Sequence, residues 1–198
     1  MTHPVLTETL WPAPQGAAGA WARRAALVLA GVAALILAAQ VRVPMWPSPV
    51  PVTMSTFAVL MLGVAYGPRL GFATLAIWLA LGAAGFDVFA DSDATSGLAY
   101  MLGGTGGYLL GFALAGVVAG LLARAGWDRS MLGMAAAMLI GNLVIYAPGL
   151  LWLRGFAADW GQTLAWGLWP YLIGDGLKLA LATLLAPGLW RAVRAFRG

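Results

Sequence analysis

Lys178 is the only lysine in this chain, and it follows Asp175 by three residues inside the apolar segment Gly174-Asp175-Gly176-Leu177-Lys178-Leu179-Ala180. That spacing is close to one helical turn, so both charges fall on one helix face. A charged side chain at membrane depth is costly unless it is paired or faces a wet cavity, and it therefore marks a functional site by default. The bland alternative is a structural ion pair. Apolar residues replace such pairs at little cost to stability, which favours the functional reading.

Other groups capable of specific contacts are sparse. Gly103-Gly104-Thr105-Gly106-Gly107-Tyr108 opens an apolar run. Its glycines admit a ligand or another backbone, and a helix beginning there offers unpaired N–H groups beside the Thr105 and Tyr108 hydroxyls. It lacks the lysine of a phosphate-binding loop. Asn142 and Tyr146 stand one turn apart and share a helix face, as a cross-link between helices or as ligand contacts. Trp166, Trp169 and Tyr171 flank Pro170, either as an interfacial aromatic belt or as a surface for an apolar ring. Cysteine is absent and His3 is the sole histidine, so thiolate, haem and most zinc chemistry is excluded and no metal or cofactor is expected.

These residues must be positioned by membrane helices. The chain is 62% hydrophobic and 9% charged, with mean hydropathy +0.86, too apolar to coat a soluble globule. A hydrocarbon core roughly 30 Å thick needs about 20 apolar residues per helix. Six spans are predicted, at 25–41, 52–66, 70–86, 104–122, 131–153 and 163–190, the last bending near Pro170. Residues 1–24 read as a flexible cytoplasmic tail and 25–198 as one six-helix transmembrane domain. The run after Arg23-Arg24 is long for a signal peptide, and the first span is expected to be retained.

Arg23, Arg24, Arg69, Arg124, Arg129, Arg191, Arg194 and Arg197 fall on one side of a six-span layout. Arg42 and Arg154 fall on the other, with Asp87, Asp91, Asp93 and Asp159. The positive-inside rule then puts both termini in the cytoplasm of a multi-pass protein of the cell membrane, surrounded by lipid. The net charge of +4 marks loops, not a nucleic-acid surface.

The outer loop 43–53 carries four prolines in eight residues and is expected to be stiff and extended, as a connector or as a lid. The three aspartates of 85–93 read as a solvated loop, because the glycine and distal glutamate of a calcium loop are missing. Ala22, Ala26, Ala30, Ala34 and Ala38 place a small residue at every fourth position of the first span, which suits close approach of another helix but also follows from an alanine-rich composition.

In order and spacing, several motifs resemble the S component of biotin energy-coupling-factor transporters, the BioY family. They are Val-Pro-x-x-Pro-x-Pro-Val-Pro-Val-Thr at 43–53, Gly-Pro-Arg-Leu-Gly at 67–71, Gly-x-x-Gly-x-x-Val-Phe-Ala at 82–90, Gly-x-Thr-Gly-Gly-Tyr-Leu-x-Gly-Phe at 103–112, Ile-Tyr-x-x-Gly-x-x-Trp-Leu at 145–153 and Gly-Asp-x-x-Lys at 174–178. The chain departs from the family pattern at Ser55, Asp87 and Gly104.

The resemblance implies an all-α, six-helix S-component fold that binds biotin from outside and has no catalytic activity of its own. It implies docking through Ala26, Ala30 and Ala34 onto a transmembrane coupling protein with two ATPases. It carries biotin binding onto Asp175 and Lys178. Thr105, Tyr108, Gly104, Asn142, Tyr146 and Trp169 complete the expected substrate-binding set. The competing expectations are an S component for another vitamin, a small membrane enzyme using Asp175 or Tyr108 as acid or base, and a structural membrane subunit clamped by Asp175 and Lys178.

Overall fold

The computed structural model describes residues 2–43, 46, 48, 50–92 and 95–197, with residues 196 and 197 described by backbone alone. Pro44, Met45, Pro47 and Pro49 of the proline-rich loop, Asp93 of the aspartate-rich loop and the side chain of Arg197 therefore lie outside the described residues. The elements in order are α1 (Leu6–Leu10), α2 (Ala17–Gln40), β1 (Arg42–Val43), β2 (Val52–Thr53), α3 (Ser55–Ala83), α4 (Gly97–Met101), α5 (Gly106–Arg124), a 3-10 turn (Trp127–Arg129), α6 (Met131–Leu153), α7 (Trp160–Gly167) and α8 (Trp169–Arg197).

Among the described residues, five helical units are long and apolar enough to cross a membrane: α2, α3, α5, α6 and the α7–α8 pair. Of these, α3 is two helices in one. Gly67 takes φ 76° and ψ 174°, open to glycine because it has no Cβ, and Pro68 follows. The arms 55–66 and 68–83 fold back on each other, since a Cβ on Gly71 would stand 3.4 Å from the Gly63 Cα. In a straight helix those positions are about 12 Å apart. Counting both arms, the bundle has six apolar segments.

α5 lies between the α3 hairpin and α6. Close approach depends on absent side chains: a Cβ on Gly63 would be 2.4 Å from the Gly116 carbonyl oxygen, and one on Gly111 would be 2.7 Å from that of Ile145. Without a hydrophobic drive between helices in lipid, such backbone contact is a main source of association.

The sixth segment is divided where the sequence predicts only a bend. Pro170 has no N–H, so a continuous helix would leave the Trp166 carbonyl without its i+4 donor. The chain breaks at Leu168 (φ −128°, ψ −63°), and Tyr171 N–H donates to the Leu168 carbonyl at 3.0 Å. The carbonyls of Trp166 and Gly167 accept side-chain donors instead, from the Ser48 and Tyr108 hydroxyls at 2.7 and 2.9 Å.

The predicted stiff outer loop contains a short antiparallel ribbon, with Arg42 opposite Thr53 and Val43 opposite Val52. At the other end of the bundle, residues 2–11 differ from the flexible tail expected of them. Val5 and Leu6 are buried, His3 N–H donates to the Arg124 carbonyl at 2.8 Å, and the Thr7 hydroxyl donates to the Ala65 carbonyl at 2.9 Å. Arg23 donates to the Thr7 carbonyl at 2.7 Å, and Arg124 pairs with Glu8. The segment holds because a few apolar residues and several long-range polar contacts act together, which local composition does not register.

Candidate functional site

The first turns of α8 bring Tyr171, Asp175 and Lys178 onto one face, at intervals of four and three residues. Asp175 and Lys178 are 5% and 7% exposed, with Lys178 Nζ 3.0 Å from Asp175 Oδ1. Two further helices complete the arrangement. Lys178 Nζ donates to Thr56 Oγ1 of α3 at 2.8 Å, and the Tyr146 hydroxyl of α6 donates to Asp175 Oδ2. Both carboxylate oxygens are thus engaged, while an ammonium with three N–H groups has spent two.

Lys178 borders a cavity with about 600 Å³ of empty space, its mouth included. Thr53, Ser55, Thr56, Thr105 and Lys178 supply its polar lining, and Trp78, Phe89, Tyr100, Tyr108, Phe112, Tyr146 and Tyr171 supply rings. Val50, Pro51, Phe89 and Ala90, from two of the loops between helices, also line it. Ring contacts stiffen the wall. Trp78 meets Phe89 edge to face at 4.9 Å, Phe89 stacks on Tyr100 at 5.2 Å, and Tyr108 meets Tyr146 edge to face at 6.4 Å. Tyr171 donates to the Val50 carbonyl, tying the first loop to α8. An apolar cavity with a few fixed polar groups suits a small ring-bearing ligand of limited charge.

Of the residues singled out from the sequence, Thr105, Tyr108, Tyr146 and Lys178 line the cavity, with Asp175 paired to Lys178. Trp169, Asn142 and Gly104 are not in the lining. Trp169 precedes Lys178 by nine residues, half a turn round the helix, and is 57% exposed on the opposite face. Asn142 is buried one turn from Tyr146 on α6, and at Gly104 the chain contributes the next residue instead. The sequence reading missed Thr56, whose partner is 122 residues away, and preferred Trp169 to Tyr171 although the seven-residue interval to Lys178 keeps Tyr171 on its face.

Asp87 and Asp91, two of the loop aspartates, have protein partners: Asp87 accepts from the Ser92 hydroxyl and Asp91 pairs with Arg42. Of the alanine stripe, Ala26, Ala30 and Ala34 are exposed. Ala30, Ala34 and Ala38 line an open groove with Phe57 and Met61 of α3 and Leu189 of α8, holding about 1080 Å³ of empty space.

A model of the BioY family matches residues 8–195. A protein of Pyrococcus horikoshii described as a probable biotin transporter BioY is 36% identical over 168 residues, spanning 85% of this chain and 96% of that protein. The biotin transporter BioY of Thermotoga maritima is 33% identical over 162 residues, spanning 81% and 92%. Among solved structures, the S-component for biotin from an ECF-type ABC transporter aligns with TM-score 0.76 at 21% identity, covering 89% of this chain and 95% of that one, a likeness of fold.

Proposed function

The chain belongs to the BioY family, and on that premise we propose that it captures biotin as the S component of an energy-coupling-factor transporter. It is a transport subunit and not an enzyme. The observation that carries the reading is the Lys178–Asp175 pair, braced by Thr56 and Tyr146 beside an aromatic cavity.

Charge balance orients the ligand. Asp175 already neutralises Lys178, so a second carboxylate beside them would leave a net buried negative charge, at a large desolvation cost. The neutral ureido group of biotin suits that end, its carbonyl accepting the remaining Lys178 N–H. The carboxylate then belongs at the wetter mouth, and the thioether ring lies among Trp78, Phe112 and Tyr108. Thr105, Tyr108, Tyr146 and Lys178 are the contact residues of this reading, with Asp175 setting the position of Lys178.

No ATP-binding motif occurs in the chain, so energy must come from partners, a coupling protein with two ATPases. The exposed Ala26, Ala30 and Ala34 leave α2 open to close approach by a partner helix. The arginine distribution puts both termini in the cytoplasm and the cavity mouth outside.

Titration of the purified protein with biotin tests the central reading. Saturable tight binding is expected, and its absence in folded protein overturns it. Ala30→Trp should retain biotin and lose co-purification with the energising module; normal assembly would remove the docking role. In a chain without native cysteine, single cysteines at Ser96 and Ala158 should label from outside and one at Ser130 only after permeabilisation. The reverse pattern overturns the orientation.

A further inference from the structure

Two segments nearly fifty residues apart meet beside the cavity, through an ion pair whose two residues are not in its lining. Arg42 Nη1 lies 3.1 Å from Asp91 Oδ1. Arg42 is the cross-strand partner of Thr53, and Asp91 follows Ala90 directly; Thr53 and Ala90 both line the cavity. The bridge therefore stands one residue outside the wall on each side.

The loop that carries Asp91 is held together by its own contacts. Ser92 is buried, accepts from Phe89 N–H at 3.2 Å and contacts the Asp87 carboxylate. Tyr100 stacks on Phe89 and donates to the Ala90 carbonyl at 2.7 Å. Asp91 itself has φ 58°, a left-handed conformation that aspartate tolerates better than most residues but that still carries strain. The ribbon opposite is stiffened by its own pairing and by Tyr171 at Val50.

The geometry points to Arg42 and Asp91 as positioning residues for ligand retention: their ion pair fastens the ribbon of β1 and β2 to the 84–92 loop and sets the rate at which a bound ligand leaves. The inference rests on the reading of the cavity as a biotin site. The side chains are 29% and 47% exposed, unlike the buried Lys178–Asp175 pair. An exposed pair contributes little to folding and is screened by salt, so this one opens without disturbing the bundle.

The test is biotin dissociation from the full chain, followed by displacement with excess unlabelled biotin at low and high ionic strength. Arg42→Gln and Asp91→Asn should each raise the off-rate about two- to fivefold, the range expected of an exposed pair. Asparagine keeps the tolerance for left-handed backbone, so Asp91→Asn tests charge and not strain. The double variant should be no faster than either single one, and the salt-induced rise in the wild-type off-rate should disappear in all three. Wild-type off-rates in the variants, additive effects, or an unchanged salt response would overturn the latch.

A ligand-free measurement separates this inference from the biotin reading. Nitroxides at Val43→Cys and Ser96→Cys report the distance between ribbon and loop. Its distribution should broaden on Arg42→Gln without biotin present. Broadening in a protein that fails to bind biotin would count against the ligand assignment alone, whereas an unchanged distribution overturns the latch.

Discussion

Lys178 and Asp175 are buried beside open space; at the arginine-rich end of the bundle, Asp128 is equally buried in the turn between α5 and α6. Asp128 is 1% exposed and accepts from the Trp190 indole N–H, while the Arg129 guanidinium lies 4.4 Å from the centroid of the same ring. Both regions join charges to hydroxyl or indole donors from distant helices. They differ in what remains unused. Lys178 has an N–H left over at a cavity, whereas Asp128 Oδ1 and Arg129 Nε are enclosed without a partner among the described residues. Burial of a charge alone thus does not identify a site; spare hydrogen-bonding capacity facing space does.

The sharpest way to break this contrast is to remove the ammonium. Lys178→Ala should lower biotin affinity at least tenfold in a folded protein, a loss of about 1.4 kcal/mol or more from one charge-assisted contact. Trp190→Phe, at the filled end, should leave affinity within about twofold, because it touches no ligand. Calorimetric titration of both variants decides the matter. The double variant Lys178→Ala/Asp175→Ala leaves no unpaired buried charge and controls for misfolding. Unchanged affinity in Lys178→Ala would make the two ends equivalent.

A smaller effect tests the bracing. Thr56→Val and Tyr146→Phe each delete one hydroxyl and should cost about 1 kcal/mol, or about fivefold in affinity, if those hydroxyls hold the pair in place. Wild-type binding in both would mean that the ion pair holds its own geometry.

The smallest effects concern pH at the arginine-rich end, where two carboxyl groups should respond in opposite directions. The Arg124 guanidinium bonded to Glu8 holds its carboxyl below the usual range. Stability from that group is present above the unfolded pKa and lost as pH falls through the folded one. Burial pushes the Asp128 carboxyl up. The folded chain therefore takes up its proton at higher pH than the unfolded chain does, and stability rises as pH falls through the folded value toward the ordinary one. In thermal unfolding across the acidic range, Glu8→Gln should remove an acid-induced loss and Asp128→Asn an acid-induced gain. The same sign for both variants would break the distinction between an exposed paired carboxylate and a buried crowded one.

Much of the fold was legible because lipid imposes a strong one-dimensional rule: every span must be apolar along its length. The segments at 104–122 and 131–153 lie close to α5 and α6. The pair at 175 and 178 was legible because its spacing is local. Trp169 lies on the far face from Lys178, which a count of residues between them would have indicated. The α3 hairpin was announced by Gly67-Pro68, yet the packing of its arms depends on Gly63 and Gly71 meeting in space. The N-terminal segment was read as flexible because its few apolar residues gain their burial from helices far along the chain.

By itself the sequence determined the membrane setting, the number of apolar segments, the charge asymmetry between the two ends and the helical pairing of Asp175 with Lys178. These follow from hydropathy and from the period of a helix, which act on neighbours along the chain. Tertiary structure alone decided that Thr56 and Tyr146 would brace that pair, that Tyr171 and not Trp169 would face the cavity, and that Arg42 would reach Asp91. Each of these depends on how elements distant in sequence are packed against one another. A hydrogen bond across 122 residues exists only once that packing has brought its two ends together.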